Sequence, residues 1–444
     1  MRSQSSGAKA PVRAGRMHHR LFIGAALVAL AASIVFGGAA AAGLKTSRPP
    51  VPAVALQAAL AYTGGKAGPA NNSLSPLYVG WVSDETAITG HPGNTDGVVA
   101  AVDLINNHLG GVDGHPLKLV SCPITSTDSQ GATCAQLFLN RSNVPVVAEG
   151  ELLTGESPFI GTMNGQKPVI SIFTTGKGAD PNTFYLDGAI QGQLASVTYL
   201  ANVVHAKNVS IIGPDIPGVA PILAMFKGLF ASLGVNSTVV TYPNAATDIT
   251  AAIAASGASS SDGLFVVGST SGECIALANA FKQLGLNSKP VVSLPECLEP
   301  AVKQALGDYP KWTYVYTSKN PAAPYAKNGQ MAAYIAAMNS YSNPANEQAG
   351  FSPLTFGMIL TIDKWMNELG PSNVTSAAIA AKAAAFTGPM YLGDPKLVFG
   401  QPPFPAIGSI RALFYTYKGN NQFNEASNGQ WICPPVPASG CPSS

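Results

Sequence analysis

Charge is scarce in this chain: only 11% of its 444 residues are Asp, Glu, Lys or Arg. No basic stripe recurs beyond the amino end, which removes the electrostatic footprint of nucleic-acid binding. Histidine is scarcer still, with only His91, His108, His115 and His205 beyond the leader, and a lone His91 without a partner makes neither a metal site nor a triad. There is no C-x-x-C, and no Cys pair has a nearby His in the spacing of a metal knuckle, so no metal is expected. A G-x-x-x-x-G-K-[ST] phosphate loop and a G-x-S-x-G elbow are also missing. The nearest stretch, Gly268-Ser269-Thr270-Ser271-Gly272, puts Thr at the nucleophile position. An enzyme is not expected, and no cofactor is.

What the chain does have is apolar material, 46% of its residues, enough at this length for two cores. Its net charge of +2 misleads, because Arg2, Lys9, Arg13, Arg16 and Arg20 leave the remainder at −3. An uncharged apolar run follows at 21–36, then Gly37-Gly38 and four alanines. A basic region, an apolar region and small residues predict a secretory signal over 1–43. Counted on to Gly43, the run also reaches the ~20 residues of a spanning helix, so an uncleaved anchor is the second reading. No Cys follows it to carry a lipid. Residues 44–76, rich in Ala, Pro, Gly, Asn and Ser, read as a linker. The six cysteines all lie beyond the leader and fit an oxidising compartment. Of ~15 possible pairings, spacing favours Cys122 with Cys134, Cys274 with Cys297, and Cys433 with Cys441.

Residues 77–120 hold a strand, a loop, a helix, a glycine turn and a second strand in succession. The run 77–82 is apolar with aromatic and β-branched residues, which predicts a buried strand. Turn formers occupy 84–94. Thr95 and Asp96 are expected to cap a helix in which Val98, Val102, Ile105 and Leu109 recur near the 3.6-residue period. Gly110-Gly111 should end it in left-handed geometry, and Leu117 starts the next strand.

This stretch resembles type I periplasmic solute-binding proteins of the leucine/isoleucine/valine and amide class. The matching residues are Gly80, Gly93, Gly97, Ala101, Ile105, Asn106, Gly110, Gly111, Val112, Gly114, Pro116 and Leu117, with weaker matches almost to Tyr417. A lone βαβ unit without them would carry no such weight.

Beyond the unit, helices are expected over 132–139, 190–204, 221–233, 249–255 and 274–284. Strands are expected over 144–148, 168–173, 238–242, 263–267 and 291–294, with another in Asn208-Val209-Ser210-Ile211-Ile212. Such alternation implies an α/β fold of parallel sheets flanked by helices, and it exceeds what one sheet would hold. The resemblance implies two Rossmann-like lobes hinged around a cleft, with crossings near Asp187, Ser318 and Pro395. Lobe 1 would be 77–187 with 319–395, lobe 2 would be 188–318 with 396–432, and 433–444 a tail. It also implies first-lobe helices over 325–341 and 352–369 and a second-lobe strand over 413–417.

Ligands of parallel α/β sheets gather beyond the carboxyl ends of strands. That rule nominates the loops 83–94, 149–157, 173–177, 213–219, 268–273 and 295–299. In the second, Thr154, Gly155 and Ser157 precede a helix, and their hydroxyls and amides suit a carboxylate, which is what the family binds there. The plainer alternative is a capping loop. The resemblance also implies a binding loop at Phe173, Thr174 and Thr175, and an acid at Glu296 that pairs with a ligand ammonium. Asp215 is a weaker candidate. Trp81 is either a cleft wall or core. Two departures count against a standard α-amino acid: Pro217 stands where the family commonly presents Tyr, and His91-Pro92-Gly93-Asn94 replaces a pattern of small and aromatic residues. The function implied is an extracytoplasmic, monomeric solute-binding protein that closes over an amino acid, amide or small carboxylate and delivers it to an ABC-type permease. The alternative is a sensor of the same fold, anchored by 21–36.

Overall fold

The computed structural model describes residues 49–86, 90–174, 180–188, 190–215, 219–243, 246–268, 270–322, 329–436 and 441. All belong to one unit, Arg48–Ser444. The leader over 1–43 lies outside the described residues, and so does Thr175.

The chain enters on a helix, α1 (Ala53–Thr63), which corrects the linker expected over 44–76. Its apolar run looks too short to fold alone, but Ala55, Ala59 and Tyr62 are buried in the first core. Tertiary packing stabilises a helix that propensity would not. The Tyr62 hydroxyl donates to the Pro389 carbonyl (2.9 Å), accepts from the Tyr391 amide (3.2 Å) and lies 2.8 Å from Thr361 Oγ1.

The βαβ unit follows as β1 (Leu77–Asp84), α2 (Pro92–His108) and β2 (Leu117–Ile124). The chain continues through α3 (Ser129–Leu139), β3 (Val147–Glu149), α4 (Glu156–Met163), β4 (Val169–Ser171) and β5 (Thr183–Tyr185). Among the described residues these strands make a parallel sheet in the order β2-β1-β3-β4-β5. Next come α5 (Ile190–Gln193), α6 (Ala195–Thr198), β6 (Asn208–Asp215), α7 (Ala220–Ser232), β7 (Asn236–Pro243), α8 (Thr250–Ala255), β8 (Gly263–Val266), α9 (Ser271–Gln283), β9 (Val291–Ser293), α10 (Pro300–Leu306) and β10 (Thr313–Tyr316). With β11 (Leu413–Gly419) and β12 (Gln422–Glu425) they form a second sheet, β12-β11-β10-β9-β8-β6-β7. Only β11 departs from parallel pairing, running against β10 and β12. Every residue of β8 and β9 is buried, as expected of strands covered on both faces. Between β10 and β11 in sequence, α11 (Gly329–Tyr341), α12 (Ser352–Leu369) and α13 (Ser376–Ala384) return to the first core, where α12 packs on α2 and both α11 and α12 pack on α1.

The cap expected at Thr95 and Asp96 is also corrected. α2 begins at Pro92, whose ring presets the helical φ and whose missing N–H is not needed there. Thr95 accepts from Trp81 Nε1 (3.0 Å) and donates to Glu85 Oε1 (2.6 Å) instead. Asp96 accepts from Ser342 Oγ (2.9 Å) and Asn346 Nδ2 (2.6 Å), pinning α2 to the turn after α11. At its far end Gly110 and Gly111 adopt φ of +80° and +65°. Asn106 clamps β2, its side chain exchanging two 2.8 Å hydrogen bonds with the Leu117 backbone. Gly97 lets α12 approach, since a Cβ there would stand 2.4 Å from the Ser352 carbonyl oxygen.

The single helix expected over 190–204 is broken into α5, α6 and a π turn at Tyr199–Val203. The cysteines pair as 122–134, 274–297 and 433–441. On the segment from α13 to β11, buried Asp394 accepts from Arg411 Nε (2.8 Å), from Arg411 Nη2 and from Ser409 Oγ.

Tyr62→Phe should destabilise the protein by about 1–3 kcal/mol, because it leaves the Pro389 carbonyl and Tyr391 amide without their partner. Urea denaturation checks this, and an unchanged midpoint would detach α1 from the first core.

Candidate functional site

In the first sheet β1 and β3 end side by side, with Val82 opposite Glu149. The loops beyond them interlock: the Asp84 amide donates to the Glu151 carbonyl (2.9 Å), and the His91 amide to the Asp84 carbonyl (3.3 Å). In the second sheet β8 and β9 end side by side, and their following segments carry Ser271 at the start of α9 and the acids Glu296 and Glu299.

His91 joins the two sides. Its Nδ1 lies 2.5 Å from Glu299 Oε1 and its Nε2 lies 3.4 Å from Glu151 Oε2. Ser271 Oγ donates to Glu299 Oε2 (2.6 Å). Glu296 belongs to the same group, acted on by the charges of Glu151 and His91. His91, Glu151 and Glu296 are each no more than 3% exposed, so their charges interact with little screening by water.

Burial alone would lower the His91 pKa, but the carboxylates of Glu151 and Glu299 outweigh it and hold the imidazolium up to about 10. Burial works against ionised Glu299 too, and is overcome by the hydrogen bond and charge of His91 and by Ser271, which hold this carboxyl below its ordinary range. Burial pushes Glu151 up to about 7 despite His91, with Glu299 and Asp84 adding repulsion. Burial and then Glu151 push Glu296 up to about 8. At neutral pH the group therefore holds a charged His91, an ionised Glu299, and two acids that compete for protons.

The other sequence candidates are placed elsewhere or already engaged. The Thr154 amide donates to Asp84 Oδ2 (2.8 Å), and the Gly155 amide to Oδ1 of the exposed Asp128 (2.7 Å). These are the amides expected to hold a ligand carboxylate, and the chain's own carboxylates occupy them. Ser157 is exposed on the first turn of α4. Phe173 is buried against Phe351, with ring centroids 6.2 Å apart, and Thr174 is buried beside it in sequence. Asp215 is exposed at the end of β6. Trp81 belongs to the first core. Sequence reasoning missed Glu151, Ser271 and Glu299, and set His91 aside for want of a partner. The available signal was scarcity: in a chain with so few charges, acids recur in two nominated loops.

The Cys274–Cys297 disulfide anchors the acid-bearing turn to α9, with Gly268 fitting against it; a Cβ there would meet the two sulfurs at 3.1 and 3.3 Å.

With this geometry in view, comparison with known proteins is decisive. The family model described as periplasmic binding protein matches residues 76–401. The chain belongs to that family. No curated protein sequence matches this periplasmic binding protein significantly. Solved structures do, and they share its two-lobed type I fold. The branched-chain amino acid transporter substrate-binding protein LivJ of Streptococcus pneumoniae, in complex with isoleucine, is 19% identical at a TM-score of 0.60, covering 79% of this chain and 98% of its own. An R. palustris solute-binding protein in complex with 4-hydroxybenzoate is 15% identical at 0.61, covering 79% and 95%. A fatty acid ABC transporter substrate-binding protein of Thermomonospora curvata is 14% identical at 0.61, covering 84% and 98%. One fold thus serves chemically unlike solutes.

Each raised pKa stabilises the folded state below its unfolded value and loses that stabilisation as pH rises through the folded value. Glu151 and Glu296 set the window, from 4.5 to about 7 and about 8, and His91 extends it from 6.5 to about 10. The melting temperature of the ligand-free protein should therefore fall between pH 5 and 8, and Glu296→Gln should flatten that fall. An identical slope in the variant would remove Glu296 from the buried group. Replacing Cys274 and Cys297 with Ala should cost about 3 kcal/mol by denaturant unfolding, with no change expected if the bond did not constrain the unfolded chain.

Proposed function

We propose that this protein is an extracytoplasmic, non-enzymatic binding protein that captures a small polar solute presenting N–H donors and delivers it to an ABC-type permease. The observation that carries this reading is the buried group at the facing ends of the two sheets, where Glu151, Glu296 and Glu299 gather acceptors around His91. Capture works by hinge closure, with crossings near residues 187, 318 and 395. Solute contacts from both lobes favour the closed form over the open one, because a ligand shifts an equilibrium only by its differential affinity. The permease recognises that closed form, and the protein acts as a monomer. Glu296 takes the solute's donor group, since an opposite charge away from water is held strongly. The apolar run at 21–36 favours a second reading, a sensor tethered by an uncleaved leader. Recovery of the protein in the soluble exported fraction, starting near Ala42, would remove it.

A thermal-shift panel of amino acids, amides, urea-like compounds, amines and short carboxylates tests the main reading, since a solute that binds only the folded form raises its melting temperature. Donor-bearing solutes should raise it, and Glu296→Gln should weaken the best of them tenfold or more by calorimetry. Binding confined to solutes without N–H donors, unaffected by the substitution, would overturn the assignment.

A further inference from the structure

Resting on the solute-binding reading, we infer that the cleft takes a small organic cation without a carboxylate, an alkylammonium or guanidinium compound, in preference to an amino acid.

Acceptors exceed donors in the buried group. Three carboxyl side chains converge from both sheets, and among the described residues His91 is the one basic side chain in contact with them. Glu299 is satisfied, with one oxygen on His91 and the other on Ser271. Glu296 Oε2 has no hydrogen-bond partner although its side chain is almost wholly buried, and Glu151 Oε2 reaches only His91 Nε2, at 3.4 Å. Asn94, completely buried beside Glu151, adds only one side-chain donor toward that carboxylate. Unpaired buried acceptors of this kind cost free energy that a donor recovers. A cation with several N–H groups supplies the donors and the compensating charge together, in the stronger charge-assisted form.

The carboxylate half of an amino acid has no corresponding place. At the start of α4 the Thr154 and Gly155 amides already bind the carboxylates of Asp84 and Asp128. Asp84 is itself buried and repels charge on Glu151. A solute carboxylate brought to that loop would have to displace one acid and sit beside another. His91 offers no substitute, because its imidazolium stands between Glu151 and Glu299.

Two matched pairs test the inference: agmatine against arginine, and 3-methylbutylamine against leucine, each differing only by the carboxylate. Calorimetry and thermal shift on the exported protein should give at least tenfold tighter binding of the amine in one pair or both. Glu151→Gln and Glu296→Gln should each weaken that amine tenfold or more while leaving the ligand-free protein folded by its melting curve. Amino acids binding as tightly as their amines would overturn this inference and leave the solute-binding reading standing. Tight amine binding indifferent to both substitutions would overturn it as well, by moving the amine elsewhere. Silence of the amines, amino acids, amides and carboxylates alike would remove both readings.

Discussion

A buried imidazolium between carboxylates from two sheets is the constraint on which the junction of the two sheets' loops depends. Glu151 and Glu296, almost wholly enclosed, and the partly buried Glu299 repel one another in a medium that screens poorly, and only charge compensation makes their enclosure tolerable. His91 compensates Glu299 fully and Glu151 in part. Its position is not a property of its own loop. The Pro92 start of α2 sets the backbone, the Asp84 carbonyl holds the His91 amide, and Gly97 allows α12 to hold α2 from behind. A helix packed 350 residues into the chain thus helps place a side chain at residue 91.

The opposite wall is fixed by different means. Glu296 and Glu299 sit on a short turn after β9, and short turns do not hold buried charges in place unaided. The Cys274–Cys297 bond ties that turn to α9, and Ser271 at the head of the same helix donates to Glu299. One wall is therefore rigid through helix packing, the other through a covalent link. These ties keep the acids together, since carboxylates free to move apart would relieve their own repulsion.

Much of the fold was legible because its signals are local. The period of Val98, Val102 and Ile105, the paired glycines after Leu109 and the alternation of short apolar runs each act within a dozen residues. The disulfide partners were legible for the same reason, lying 8 to 23 residues apart. α1 was not, because its burial depends on Thr361, Pro389 and Tyr391, about 300 residues away. The same limit hid the site. His91 looked partnerless because its partner is 208 residues distant. Thr154 and Gly155 were read correctly as donors, but nothing near them in sequence revealed that Asp84 and Asp128 take their amides.

Family membership and site chemistry consequently answer different questions. The glycines and Asn106 that carry the family resemblance serve turns, the clamp on β2 and the approach of α12 to α2. His91, at one of the places where the sequence leaves the family pattern, lies where the two sheets' loops meet. Without a solute, Glu151 and Glu296 avoid mutual repulsion by retaining protons that free carboxyl groups would lose at neutral pH. Were a cation to enter between them as inferred above, it would displace those protons, and its capture would strengthen as pH rises toward 8. A neutral amide or a free acid would gain nothing from that exchange, so a site of this kind would discriminate by charge rather than by shape.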